Sequence, residues 1–151
     1  MGLPLTEQTI AESLHKVNYT SGIIGKWHMG SHPINHPLKR GFDEFYGHLG
    51  GGHRYLPEEL TIENSYSIFT EPESYRTWIM RNHTPEKTDK YLTDEFSDEA
   101  EHFIVKNHKN PFFLFVSYNA PHTPLQATEK YLKRFPNLKG KRKTYAAMVS
   151  A

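Results

Sequence analysis

With 151 residues the chain has the length of a single domain with its own buried core, and no shift in composition divides it in two. Eighteen lysines and arginines against seventeen acidic residues leave a formal charge of +1, which excludes the global field of a nucleic-acid or membrane-surface binder and makes any anion site a local one. The absence of cysteine excludes disulfides, thiolate metal sites and a thiol nucleophile, and the longest apolar run, residues 111–118, is far short of the ~20 apolar residues of a membrane span.

Met1 to Thr6 carries neither a basic start nor an apolar core, so no export leader is expected there. Thr9-Ile10-Ala11-Glu12 reads as a capping box, in which a threonine hydroxyl and a glutamate carboxylate satisfy the first amides of a helix. The spacing of Ile10, Leu14 and Val17 predicts a short helix from Ile10 to Val17 with one apolar face, stopped at Asn18. Tyr19 to Ile24 is then rich in residues that suit a half-buried strand and ends at Gly25.

Glycine, histidine and proline crowd the stretch from Gly30 to Arg54, and Gly50-Gly51-Gly52 predicts a long irregular excursion of the kind that serves a site. A short hairpin is expected over Thr61 to Phe69. Helical spacing returns from Thr88 to Asn107, with Leu92, Phe96, Ala100, Phe103 and Ile104 on one face and the acidic pairs Asp94-Glu95 and Asp98-Glu99 on a solvated one. Asn110-Pro111 breaks that helix, and Phe112 to Val116 is a continuous apolar run, the mark of a strand buried on both faces in a parallel sheet. A loop from Tyr118 to Pro124, a short amphipathic helix around Thr128 to Phe135, a basic turn from Lys139 to Lys143 and a helix starting near Thr144 complete the chain. The pattern is that of an α/β domain.

Two clusters can carry chemistry. Gly25-Lys26-Trp27-His28 stands at the end of the first strand, where open α/β sheets bind ligands. In extended backbone Lys26 and His28 share a side while Trp27 turns into the packing. An ammonium suits a tetrahedral oxyanion, and an imidazole exchanges protons near neutral pH. Asn119-Ala120-Pro121-His122-Thr123-Pro124 has the same placement after the Phe112 strand, and two prolines stiffen the backbone that carries His122. The bland readings are a solvated lysine, a loop-capping histidine and a proline-rich surface turn. His28, His32 and His36 recur every four residues as metal ligands on a helix would, although Pro33 and Pro37 oppose that helix. Asn18-Tyr19-Thr20 and Asn82-His83-Thr84 match the N-glycosylation sequon.

These residues also carry a resemblance. Asn18 to His28 resembles the second signature of the sulfatases, which closes on Gly-Lys, an aromatic residue and His; Asn18 stands where that signature has glycine, at a helix end where asparagine also adopts a left-handed conformation. Gly-Phe-Asp-Glu-Phe-Tyr-Gly at residues 41–47 and Ala-Pro-His-x-Pro at residues 120–124 are similar to the family in order and spacing, and the glycine-rich block is similar to the arylsulfatase and N-acetylgalactosamine-6-sulfatase groups.

The resemblance implies an alkaline-phosphatase-like α/β fold, a mostly parallel sheet flanked by helices, and hydrolysis of the sulfate monoester of a small molecule or carbohydrate. It implies that Lys26 holds sulfate oxygens, that His28 contacts the hydroxyl of a formylglycine nucleophile and assists its proton transfer, and that His122 binds the ester or protonates its leaving oxygen. It also implies a calcium ion. This sequence contains no Cys/Ser-x-Pro-x-Arg motif for formylglycine and none of the expected calcium ligands. Residues 1–151 are accordingly expected to be part of one sulfatase catalytic domain, truncated at both ends and inactive alone. A phosphate or phosphonate ester hydrolase of the same superfamily, a non-catalytic anion-binding module and a histidine-rich metal binder are the alternatives. Neither a nucleic acid nor a membrane is expected as partner; compartment and oligomeric state are not legible, although relatives of this kind are often periplasmic, secreted or lysosomal.

Overall fold

A computed structural model describes residues 2–60 and 78–151. The expected hairpin at Thr61 to Phe69 lies outside them.

Helix α1 spans Ile10–His15 and opens on the capping box: Thr9 Oγ1 accepts from the Glu12 amide at 3.0 Å, and Glu12 Oε2 accepts from the Thr9 amide at 2.7 Å. It is two residues shorter than its spacing predicts, and Asn18 is left-handed, with φ 62°. The predicted apolar stripe is not the packed face. Ile10 and Val17 are each 60% exposed while Ala11 is buried, because the Gly41 backbone lies so close to Ala11 and Glu12 that a Cβ there would sit 2.3 Å from the Glu12 nitrogen. Arg40, 1% exposed, ties the chain before α1 to this turn through the carbonyls of Leu3 and Glu7 and the Glu12 carboxylate.

Strand β1 spans Thr20–Lys26, two residues beyond the predicted strand, and β2 spans Glu44–His48 inside the stretch read as irregular. β3 (Met80–Arg81) and β4 (Thr84–Pro85) are short, and β5 spans Phe112–Ser117. The sheet order is β4-β3-β2-β1-β5, with β1 parallel to both β2 and β5 and the two short strands antiparallel. Alternation along the strands divides the core. Ile23, Phe45 and Phe113 face α1 with Trp27, Phe42 and Leu49, whereas Ile24, Tyr46 and Leu114 face helix α2 (Leu92–Asn107). Burying a side chain such as Phe96, 1% exposed, stabilises the fold by roughly 1.5–3 kcal/mol.

The apolar run of β5 is not buried on both faces. β5 is the edge of the sheet among the described residues, and Phe115 is 45% exposed. Helix α2 begins at Leu92 rather than Thr88, since the Tyr91 backbone is still extended, and Ile104 turns out of the packed stripe to 43% exposure. Its acidic pairs do not form one solvated face: Glu95 accepts from the Tyr46 hydroxyl at 2.9 Å, Glu99 takes the Arg81 guanidinium at 2.7 Å, and Asp98, paired with Lys90, is the most open at 45% side-chain exposure. The amphipathic helix near Thr128 is a single turn, α3 (Glu129–Leu132). The predicted basic turn is instead the first turn of α4 (Gly140–Val149). No helix among the described residues is long and apolar enough to cross a membrane.

Candidate active site

The parallel ends of β1 and β2 build the site. Gly25 pairs with Gly47 across the strands, and a Cβ on Gly47 would lie 1.9 Å from the Gly25 carbonyl oxygen, while one on Gly25 would lie 2.1 Å from that of Ser117. Three strands thus meet at van der Waals limits, and Gly25, with φ +111°, takes a backbone conformation that side chains disfavour. Lys26 follows as the last residue of β1, opposite His48. The ladder continues through Trp27 N–H to the His48 carbonyl at 3.0 Å and His28 N–H to the Leu49 carbonyl at 3.2 Å.

Trp27 turns inward as its alternation predicts, donating Nε1–H to the Asn35 carbonyl at 2.9 Å and meeting Phe42 edge-on. His28 breaks the extended geometry, with φ 54°, and its ring comes against the glycine run, where a Cβ on Gly51 would sit 2.7 Å from Nε2. The glycines therefore make room for this imidazole. Partial desolvation, the Lys26 ammonium and the His122 ring, in that order, hold His28 below its ordinary pKa. The Lys26 ammonium and the His122 ring thus each lie close enough to His28 to act on it, and among the described residues no carboxylate does. Among the described residues Lys26 forms no ion pair.

His122 is exposed, and its Nδ1 lies 2.7 Å from the Thr123 carbonyl, which can only accept. Nδ1 thus carries the proton, and Nε2 is the nitrogen left for a ligand. Behind these groups stands a residue that the sequence reading missed. His48 is fully buried between Phe96, against which it stacks, and His53, whose ring centroid is 5.3 Å away. Neither of its ring nitrogens has a well-formed hydrogen bond. Burial and then His53, with Lys26 and His28 adding to them against the Gly50 backbone, hold His48 neutral. The usable signal was Phe45-Tyr46 beside His48 between Gly41 and Gly50, a strand-length run hidden by its flanks.

The histidine trio is not a metal face. His32 Nδ1 accepts from the Ile34 amide, and buried His36 accepts from the Leu38 amide and meets the Asn82 carbonyl, so both cap short 3₁₀ turns at Pro33–Asn35 and Pro37–Lys39. Among the described residues no group of three histidine, cysteine or acidic side chains could hold a metal. The groups around Lys26 are nitrogens and a cation, whereas calcium takes about six to eight oxygen ligands, so the residues present do not fit the calcium that the resemblance implies. Of the two sequons, Asn82 is engaged, its Oδ1 accepting from the Phe45 amide at 2.9 Å.

The Sulfatase family model matches residues 1–150. N-acetylgalactosamine-6-sulfatase of Mus musculus is 33% identical over 137 residues, covering 87% of this chain and 25% of its own length. An arylsulfatase of Hemicentrotus pulcherrimus is 34% identical over 145 residues, with 86% and 24% covered. The chain thus spans about a quarter of the length of these curated relatives. Among solved structures, Ps i-CgsB in complex with k-i-k-neocarrahexaose superposes with a TM-score of 0.88 at 46% identity, over 99% of this chain and 34% of that one. PsFucS1 sulfatase from Pseudoalteromonas sp., at 24% identity and a TM-score of 0.66 over 95% of this chain and 32% of that one, shares the fold.

Proposed function

This chain belongs to the sulfatase family, and we propose that it forms the oxyanion-binding side of a site that hydrolyses the sulfate monoesters of carbohydrates. The observation that carries the reading is that an ammonium with no ion pair among the described residues and a second imidazole both act on His28, with no described acid among its neighbours. Such a cluster is short of negative charge, and a sulfate group supplies it. Lys26 holds equatorial sulfate oxygens. His28, kept neutral by its surroundings, accepts a proton from an attacking hydroxyl. His122 presents Nε2 to the ester oxygen and, once a proton from solvent occupies that nitrogen, gives it to the leaving oxygen as the S–O bond breaks, while the proton taken by His28 passes to solvent. In the net reaction one water is consumed, and an alcohol and hydrogen sulfate leave.

Calcium and a formylglycine nucleophile are expected of the family's chemistry, and the residues of this chain supply neither. As substrate class we propose a sulfated galactan. The support is the 46% identity to a structure whose carbohydrate is a neocarrahexaose, against 33% to the N-acetylgalactosamine-6-sulfatase of mouse.

The test is calorimetric binding of k-i-k-neocarrahexaose beside the same oligosaccharide stripped of sulfate, with wild-type chain and Lys26→Ala. Sulfate-dependent binding that weakens at least tenfold in the variant is the expected result; equal binding of both saccharides ends the proposal. An aryl phosphate titrated in parallel and bound more tightly than an aryl sulfate would turn the assignment to phosphate esters.

A further inference from the structure

His122 rides on a loop without regular structure, so something outside the loop must fix its direction. Within the loop only the His122 amide, bonded to the Asn119 carbonyl at 2.9 Å, closes a turn. From outside, the Tyr55 hydroxyl approaches two of the loop's carbonyls at once, Asn119 at 2.9 Å and His122 at 2.8 Å. Tyr55 is 0% exposed, so this hydroxyl is closed to bulk water and shares its one proton between two acceptors. Burial raises its pKa further, which keeps it a donor at all ordinary pH.

Tyr55 is itself held. Its carbonyl accepts from the Leu92 amide at the start of α2 at 2.9 Å, its amide donates to Gln126 Oε1 at 2.9 Å, and its ring stacks on Tyr91. Asn119 Nδ2 donates to the His53 carbonyl at 3.1 Å, fastening the same loop to the segment that holds Tyr55. A rigid chain of contacts thus runs from α2 through Tyr55 to the backbone of His122. The grip falls on the carbonyl of the residue whose ring is itself held at Nδ1 by the Thr123 carbonyl, so backbone and ring together set where Nε2 points.

We infer that Tyr55 is a positioning residue: its hydroxyl, by holding the Asn119 and His122 carbonyls together, sets the direction in which His122 presents Nε2 to the oxyanion beside Lys26. The inference rests on the proposed reading for its purpose, though not for its geometry.

The test is long-range ¹⁵N–¹H spectroscopy of the histidine rings in the wild-type chain, Tyr55→Phe and Tyr91→Phe. Tyr91 is the control because its buried hydroxyl ties the same loop at the Gln126 carbonyl, 2.9 Å away, without touching His122. In wild type and Tyr91→Phe the Nδ1–H tautomer of His122 is expected to dominate; in Tyr55→Phe it is expected to fall below half. An unchanged tautomer in Tyr55→Phe, or an equal fall in both variants, overturns the inference. Should Tyr55→Phe not fold, the wild-type spectrum decides: a slowly exchanging Tyr55 hydroxyl proton must show cross-relaxation to His122, and its absence is equally fatal. Inorganic sulfate added to the wild type separates the two claims. If it moves neither His28 nor His122 while Tyr55→Phe still alters the tautomer, the oxyanion reading fails and the clamp stands.

Discussion

Lowering the pH from 7 to 4.5 should remove a large part of the fold's stability, and His36 gives the size of its share. The ring is 4% exposed, takes the Leu38 amide on Nδ1, donates from Nε2 to the Asn82 carbonyl and lies tilted against the His83 ring, centroids 4.3 Å apart. Burial first and the neighbouring His83 second lower its pKa from 6.5 to about 4. The unfolded chain therefore binds a proton between these values and the folded chain does not. The stabilisation is fully present above pH 6.5, falls as the pH drops toward 4, and changes no further below that. A difference of 6.5 − 4 = 2.5, at about 1.36 kcal/mol per unit, gives about 3 kcal/mol. That is a substantial part of the roughly 5–15 kcal/mol by which domains are stable. His48 acts in the same direction, so the share of His36 is read by difference. Urea unfolding of the wild type and His36→Gln at pH 7, 6, 5 and 4.5 should show the variant losing about 2–3 kcal/mol less over that range. Parallel loss in both proteins would refute the reasoning.

Gly25→Ala would push a Cβ to within 2.1 Å of the Ser117 carbonyl oxygen at a positive φ, and should cost more than about 2 kcal/mol by urea midpoint. Arg40→Ala strips donors from the Leu3 and Glu7 carbonyls and leaves Glu12 without its guanidinium, so it should lower stability by about 3–5 kcal/mol, measured the same way. Lys26→Ala removes a positive neighbour of His28, and the midpoint of the His28 ring titration should rise, read by NMR. The 151-residue chain, without a Cys/Ser-x-Pro-x-Arg motif, should show no turnover of an aryl sulfate.

The parts of this fold written in local patterns were legible from sequence. The Thr9–Glu12 capping box, the existence of β1 and the helical stripe of α2 each depend on near neighbours; the box stands as read, β1 runs two residues further, through Gly25 to Lys26, and the stripe holds except at Ile104. β2 was hidden because its five residues sit among glycines, prolines and histidines, and only pairing with β1 makes Glu44–His48 a strand. The face that α1 buries was misjudged because the close approach of Gly41, about thirty residues away, outweighs the Ile10–Val17 periodicity. The start of α4 was masked by basic residues that are helical but read as a turn. The site divides the same way. Lys26, His28 and His122 are visible as polar groups just past strand ends, whereas His48 follows from register and Tyr55 from a contact across 67 residues, neither of which leaves a local trace.

The proposal that Lys26, His28 and His122 share one tetrahedral anion is tested most directly by titrating inorganic sulfate into isotopically labelled protein while following all three side chains. The account predicts that the three respond together along one binding curve, and that Lys26→Ala weakens that curve at least tenfold for both imidazoles. Independent curves for His28 and His122, or a sulfate affinity unchanged in Lys26→Ala, would contradict it.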